Sequence, residues 1–138
     1  MKVIYLESSA LLHWILGQSR AVEVRRTVDR AETVLTSTLT VTEAGRALIR
    51  AEDQGLLRGG DAQRLRGLIN RAQASWTRMS VSGDVLARAA RAFPVEPVRT
   101  LDAIHLATAL EFASVFPDLH VLSFDQRVCQ NAEALGIA

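Results

Sequence analysis

Short apolar runs alternate along this chain with longer stretches in which apolar residues recur every three or four positions. Lys2 to Leu6 is a β-branched and aromatic run that reads as a strand, and Ser8 to Leu16 carries a helical pattern stopped by Gly17. SRAVEVRRTVDRA, residues 19–31, forms an amphipathic pattern that turns Ala21, Val24 and Val28 inward. TVLTS, residues 33–37, is a second strand, and helical spacing returns over residues 40–54 through Val41, Ala44, Ala47 and Leu48 before Gly55. Asp61 is placed to cap a further helix striped by Leu65, Leu68, Ile69 and Ala72. TRMSV, residues 77–81, is a third strand, followed by a helix from about Ser82 to Phe93 and a turn at Pro94 and Pro97. TLDAIHLATALEFASVF, from Thr100, is a helix apolar on nearly every side. LHVLSF, residues 119–124, is a fourth strand, and the helix DQRVCQNAEALG closes at Gly136.

Strands alternating with helices, without a hairpin signal such as Asn-Gly, predict an α/β fold with a parallel sheet covered on both faces. The length of 138 residues and the absence of a Pro-, Ser- or Gly-rich linker predict one domain over residues 1–138. No apolar run approaches the ~20 residues of a membrane span, and the N-terminus does not read as a signal peptide, so a cytoplasmic protein without membrane contact is expected. The single cysteine, Cys129, sits in a helical pattern that favours a packing role. Net charge is +1, and all but one of the sixteen basic residues are arginine, a side chain suited to phosphate. Arg20, Arg25, Arg26 and Arg30 form one basic run and Arg58, Arg64, Arg66, Arg71 and Arg78 another. Both can equally be solvated faces.

Four carboxylates do not explain themselves as surface charge. Glu7 follows the first strand, Glu43 lies early in a helix after the second, Asp102 sits in the apolar helix, and Asp125 follows the strand LHVLSF. From Leu101 to Leu110 the only polar residues are Asp102, His105 and Thr108, so an unpaired carboxylate there is costly. Groups placed after parallel strands gather at the carboxyl end of the sheet. Each acid has a plainer reading: Thr40 to Glu43 fits a capping box, Asp125 can N-cap the last helix, Asp102 can complement a helix dipole, and Glu7 can pair with an arginine. Taken together, the four form a self-repelling set for which a hard divalent cation is the usual remedy. His13, His105 and His120 lack zinc-ligand spacing, and no Gly-rich phosphate loop is present. His105 reads as a buried, hydrogen-bonding histidine.

YLESSAL, TEAGRAL, RTLDAIHLATAL and LSFDQRV together resemble the PIN-domain ribonucleases, most nearly the VapC-like toxins of toxin-antitoxin modules, in order and over essentially the whole chain. LDAIHLATAL is the most specific of the four. The resemblance implies a three-layer fold with a central parallel sheet of about five strands, and a metal-dependent endoribonuclease that holds Mg²⁺ or Mn²⁺ in an acidic pocket. It implies Glu7, Glu43, Asp102 and Asp125 as catalytic and metal-binding acids, with Ser8 and Ser123 orienting the acids or a phosphate. It also implies an RNA substrate, a cognate antitoxin and a homodimer. The helices near residues 20–31 and 60–76 are candidates to face such partners, with Trp76 as an anchor or a core aromatic. The family's first acid is normally Asp, whereas this chain has Glu7, one methylene longer. A degenerate module that binds RNA or protein without cutting is the alternative that this departure leaves open.

Overall fold

The apolar runs become strands because both of their faces are covered. In the computed structural model, which describes residues 2–138, β1 spans Val3–Leu6 and all four of its side chains are buried. Alternation along the strand sends Ile4 and Leu6 to one face and Val3 and Tyr5 to the other. Ile4 and Leu6 pack with Leu11, Val24, Leu48, Leu65 and Trp76, from α1 (Ser8–Ile15), α2 (Ala21–Arg30), α3 (Thr38–Asp53), α4 (Asp61–Gln73) and the residues just beyond it. Val3 and Tyr5 pack with Ala109 and Phe112 of α6 (Thr100–Ala113) and Ala132 of α7 (Gln126–Ala134). The short α5 (Gly83–Ala89) lies against α6 through Val85 and Ala107.

The other strands are β2 (Thr33–Ser37), β3 (Thr77–Met79) and β4 (Leu119–Leu122), and the order across the sheet is β3-β2-β1-β4, every pair parallel. The α/β reading and the helix-sheet-helix layering hold, with one correction: among the described residues the sheet has four strands, not about five. Beyond β4 the chain's last residues make a single sheet-like bond, the Val121 N–H donating to the Ile137 carbonyl at 2.7 Å, and form no strand. From β1 the chain steps outward through β2 and β3, then crosses to place β4 on the opposite side of β1. The crevice beyond the carboxyl ends of β1 and β4 is therefore the topological switch point of the sheet.

Local chemistry corrects several finer expectations. Ser37, not Thr40, caps α3, its hydroxyl accepting the Leu39 N–H at 3.0 Å, so Glu43 lies a turn further in and belongs to no capping box. Asp61 is the first residue of α4 rather than its cap. Trp76 is buried in the core against Trp14. Cys129 is exposed, with burial of its thiol still enough to push its pKa up. Gly17 ends α1 with a φ of 62°, a left-handed conformation that only glycine adopts without strain.

Asn131, fully buried on α7, fixes the loop that leads into α6. Its amide nitrogen donates to the Val95 carbonyl at 2.9 Å and its oxygen accepts the Val95 N–H at 2.9 Å. Asn131→Ala leaves both backbone groups without these partners, and the expected cost is about 2 kcal/mol. Urea unfolding should show a lower midpoint at unchanged slope.

Candidate active site

Pairing of β1 with β4 aligns Leu6 with Leu122, so the residues that follow the two strands emerge side by side. The Glu7 N–H extends the ladder by donating to the Leu122 carbonyl at 3.1 Å. With an extended backbone, Glu7 is the N-cap of α1, and its Oε2 accepts the Ser9 N–H at 3.0 Å. The same oxygen accepts the Ser9 hydroxyl and, at 2.7 Å, the Ser123 hydroxyl. Ser9 Oγ in turn accepts the N–H groups of Phe124 and Asp125, at 2.8 and 3.2 Å. Glu7 is buried, and hydroxyls rather than an arginine satisfy it. Its Oε1 has no hydrogen-bond partner among the described residues.

Asp125 is the N-cap of α7, its Oδ1 accepting the Val128 N–H at 2.9 Å. Asp102 lies in the first turn of α6. The two aspartates line one cleft of about 430 Å³ with Pro97, Val98, Arg99, Gln126, Arg127 and Gln130. Burial first, then the charges of Asp125 and Glu7, push the Asp102 carboxyl up to about 6. Those causes put Glu7 and Asp125 each within electrostatic reach of Asp102, and among the described residues no Lys or Arg forms an ion pair with any of the three.

Glu43 reaches the same end of the sheet from α3. Its Oε1 accepts the Ser8 hydroxyl at 2.6 Å and lies 2.5 Å from His105 Nε2. Burial raises its pKa, but the hydrogen bonds from His105 and Ser8, with a smaller pull from Arg50, outweigh burial and leave it below the usual range. Ser8 thus orients Glu43, and Ser123 orients Glu7.

As hard, oxygen-only donors lacking basic partners, Glu7, Asp102 and Asp125 suit Mg²⁺ or Mn²⁺. They do not form a ready-made cage: among the described residues no three His, Cys, Asp or Glu side chains are spaced to hold a metal ion together. Ser9, Tyr5, Arg99 and Arg127 were not legible as site residues. Ser9 could have been found from its place beside the first acid in the pair Ser8-Ser9. Tyr5 reads as an ordinary strand aromatic. Three arginines of the basic runs are ion-paired on their own helices, Arg20 with Glu23, Arg25 with Asp29 and Arg64 with Asp61, and Arg20 also stacks on Phe124, the neighbour of Asp125.

The PIN domain family model matches residues 4–134. The chain is 32% identical to the ribonuclease VapC35 of Mycobacterium tuberculosis over 138 residues, which is 99% of this chain and 94% of that protein. It is 34% identical to the ribonuclease VapC46 of the same organism over 139 residues, covering 100% of this chain and 96% of the relative. The crystal structure of M. tuberculosis VapC20, a toxin that cleaves the sarcin-ricin loop, superposes with a TM-score of 0.68 at 17% identity, covering 98% of this chain and 96% of that one, a likeness of fold.

Asp102 supplies a test of the crowding. Its folded pKa of about 6 exceeds the ordinary aspartate value of 3.8, so between those pH values the folded state holds a proton that the unfolded state has lost. Its contribution to stability therefore falls as pH rises through that window. In metal-free buffer Asp102→Asn should melt at a higher temperature than the parent at pH 8, with the gap closing towards pH 4. Thermal melts across that range check the sign.

Proposed function

The chain belongs to the PIN-domain family, among its VapC-like ribonucleases, and on that premise we propose that it is a Mg²⁺- or Mn²⁺-dependent endoribonuclease, the toxin of a toxin-antitoxin pair. The observation that carries this reading is that Glu7, Asp102 and Asp125 lie at the switch-point crevice with no ion-paired Lys or Arg among the described residues, where burial and then the charges of Asp125 and Glu7 raise the Asp102 pKa. These three residues would hold the cation, with Glu43 as a further ligand or as a base acting through a water. When bound, the cation supplies water activation and neutralises charge on the scissile phosphate.

The protein's own groups do the remaining work. Ser123 and Ser9 hold Glu7, Ser8 holds Glu43, and the capping bond to Val128 holds Asp125. Arg99 and Arg127 flank Asp102 and Asp125 in the cleft, and their guanidinium groups are suited to the phosphates on either side of the cut. Such a cleft takes a single-stranded or looped RNA, whose bases can splay away from the backbone. The longer Glu7 remains compatible with the reading because its carboxylate both caps α1 and keeps Oε1 free of protein hydrogen bonds. A cognate antitoxin that covers the crevice, and a homodimer, complete the proposal. Among the described residues no helix is long and apolar enough to cross a membrane.

Cleavage of an RNA pool should require Mg²⁺ or Mn²⁺ and stop with chelator. Asp102→Asn and Glu7→Gln should each slow it by on the order of 100-fold or more, since in-line attack depends on exact placement of the reacting groups. Glu7→Asp should keep cutting, because a shorter carboxylate still caps α1. RNA binding that persists in chelator, with no cleavage by any version of the folded protein, would replace this reading with that of a non-cutting binding module.

A further inference from the structure

We propose that His105 is the positioning residue for Glu43, held in that role by the Tyr5 hydroxyl. Both side chains are 1% exposed, and they lie on different elements, α6 and β1. An imidazole buried that deeply in an otherwise apolar helix is costly unless both ring nitrogens find partners. Both do. Nδ1 lies 2.8 Å from the Tyr5 hydroxyl, and Nε2 lies 2.5 Å from Glu43 Oε1.

The proton assignments follow from the chemistry of the partners. An ionised carboxylate only accepts, so the proton between His105 and Glu43 belongs to Nε2. In the neutral ring Nδ1 is then the acceptor, and the phenol must donate to it. Burial keeps the Tyr5 phenol protonated, its pKa raised well above the ordinary value. The Ser8 hydroxyl, 3.0 Å from Nε2, gives its own proton to the same Glu43 oxygen. Helices α1 and α6 therefore meet Glu43 of α3 on Oε1, with β1 reaching it only through His105, and Oε2 has no hydrogen-bond partner among the described residues. A carboxylate fixed through one oxygen presents the other in a defined place. Mere filling of the core would be served as well by Leu or Phe at position 105, and neither would hold Glu43.

This inference rests on the nuclease reading in taking Glu43 as part of the acid site, so the experiment has two arms. In the first, ¹⁵N spectra of the metal-free protein should show the His105 ring as the Nε2–H tautomer, with Tyr5→Phe and Glu43→Gln each altering its signals. An Nδ1–H ring, unmoved by Glu43→Gln, would overturn the proposal whatever the protein does. In the second, Mn²⁺ binding is measured by calorimetry. His105→Phe should weaken it on the order of 10-fold, as loss of a group that orients a ligand does. His105→Gln, which can still offer an N–H to Glu43, should recover most of the loss. His105→Phe combined with Glu43→Gln should bind no more weakly than Glu43→Gln alone. Additive losses, or a His105→Phe variant that melts lower yet binds Mn²⁺ as the parent does, would overturn it. If Asp102→Asn also leaves Mn²⁺ binding and RNA cleavage unchanged, the nuclease reading fails on its own account. The ring spectrum then still decides whether His105 holds Glu43.

Discussion

The parallel pairing of β1 with β4 is the constraint on which the rest of the molecule depends. β1 is bonded on both sides, to β2 and to β4, so its carboxyl end cannot shift without breaking two ladders. Three helices start near that end, and each brings an acid at or beside its N-terminus: Glu7 on α1, Asp102 on α6 and Asp125 on α7. A helix N-terminus favours a nearby negative charge by about 0.3–1 kcal/mol. The upward shift of the Asp102 carboxyl, to about 6, comes first from burial and then from the gathered charge, and the helix end does not offset the two together. Capping and site formation are thus the same placement seen at two scales: Asp125 caps its helix and lines the cleft with Asp102.

Most of the fold was open to reading because the sheet is covered on both faces. β1 and β2 are buried almost throughout, β3 is a largely exposed edge strand, and the four stretches that the pattern marks are the four strands of the sheet. The fifth strand came from family likeness rather than from any apolar run, and no such run is present. Helix ends were less legible. Ser37 outcompetes Thr40 as the cap of α3, a choice between two hydroxyl residues three positions apart that depends on where β2 stops. At the site, the acids stood out because a charge in an apolar stretch demands a partner. Of their holders, Ser8 and Ser123 came from the family likeness and His105 reads as buried and hydrogen-bonding, but Ser9 and the link from His105 to Glu43 and Tyr5 depend on tertiary contacts. Arg99 and Arg127 were hidden for the opposite reason, being isolated arginines in a chain with two longer basic runs.

The two glutamates are held alike. Among the described residues every hydrogen bond to the Glu7 side chain ends on Oε2 and every one to Glu43 ends on Oε1. A longer side chain loses more rotamer freedom when ordered than an aspartate does. Multiple donors on one oxygen supply that ordering while leaving the second oxygen uncommitted.

The cradle around Glu7 joins Ser9 to Ser123 across 114 positions of sequence. Glu7 therefore acts as a non-covalent clasp between the start of α1 and the turn after β4, two stretches that lie at opposite ends of the chain.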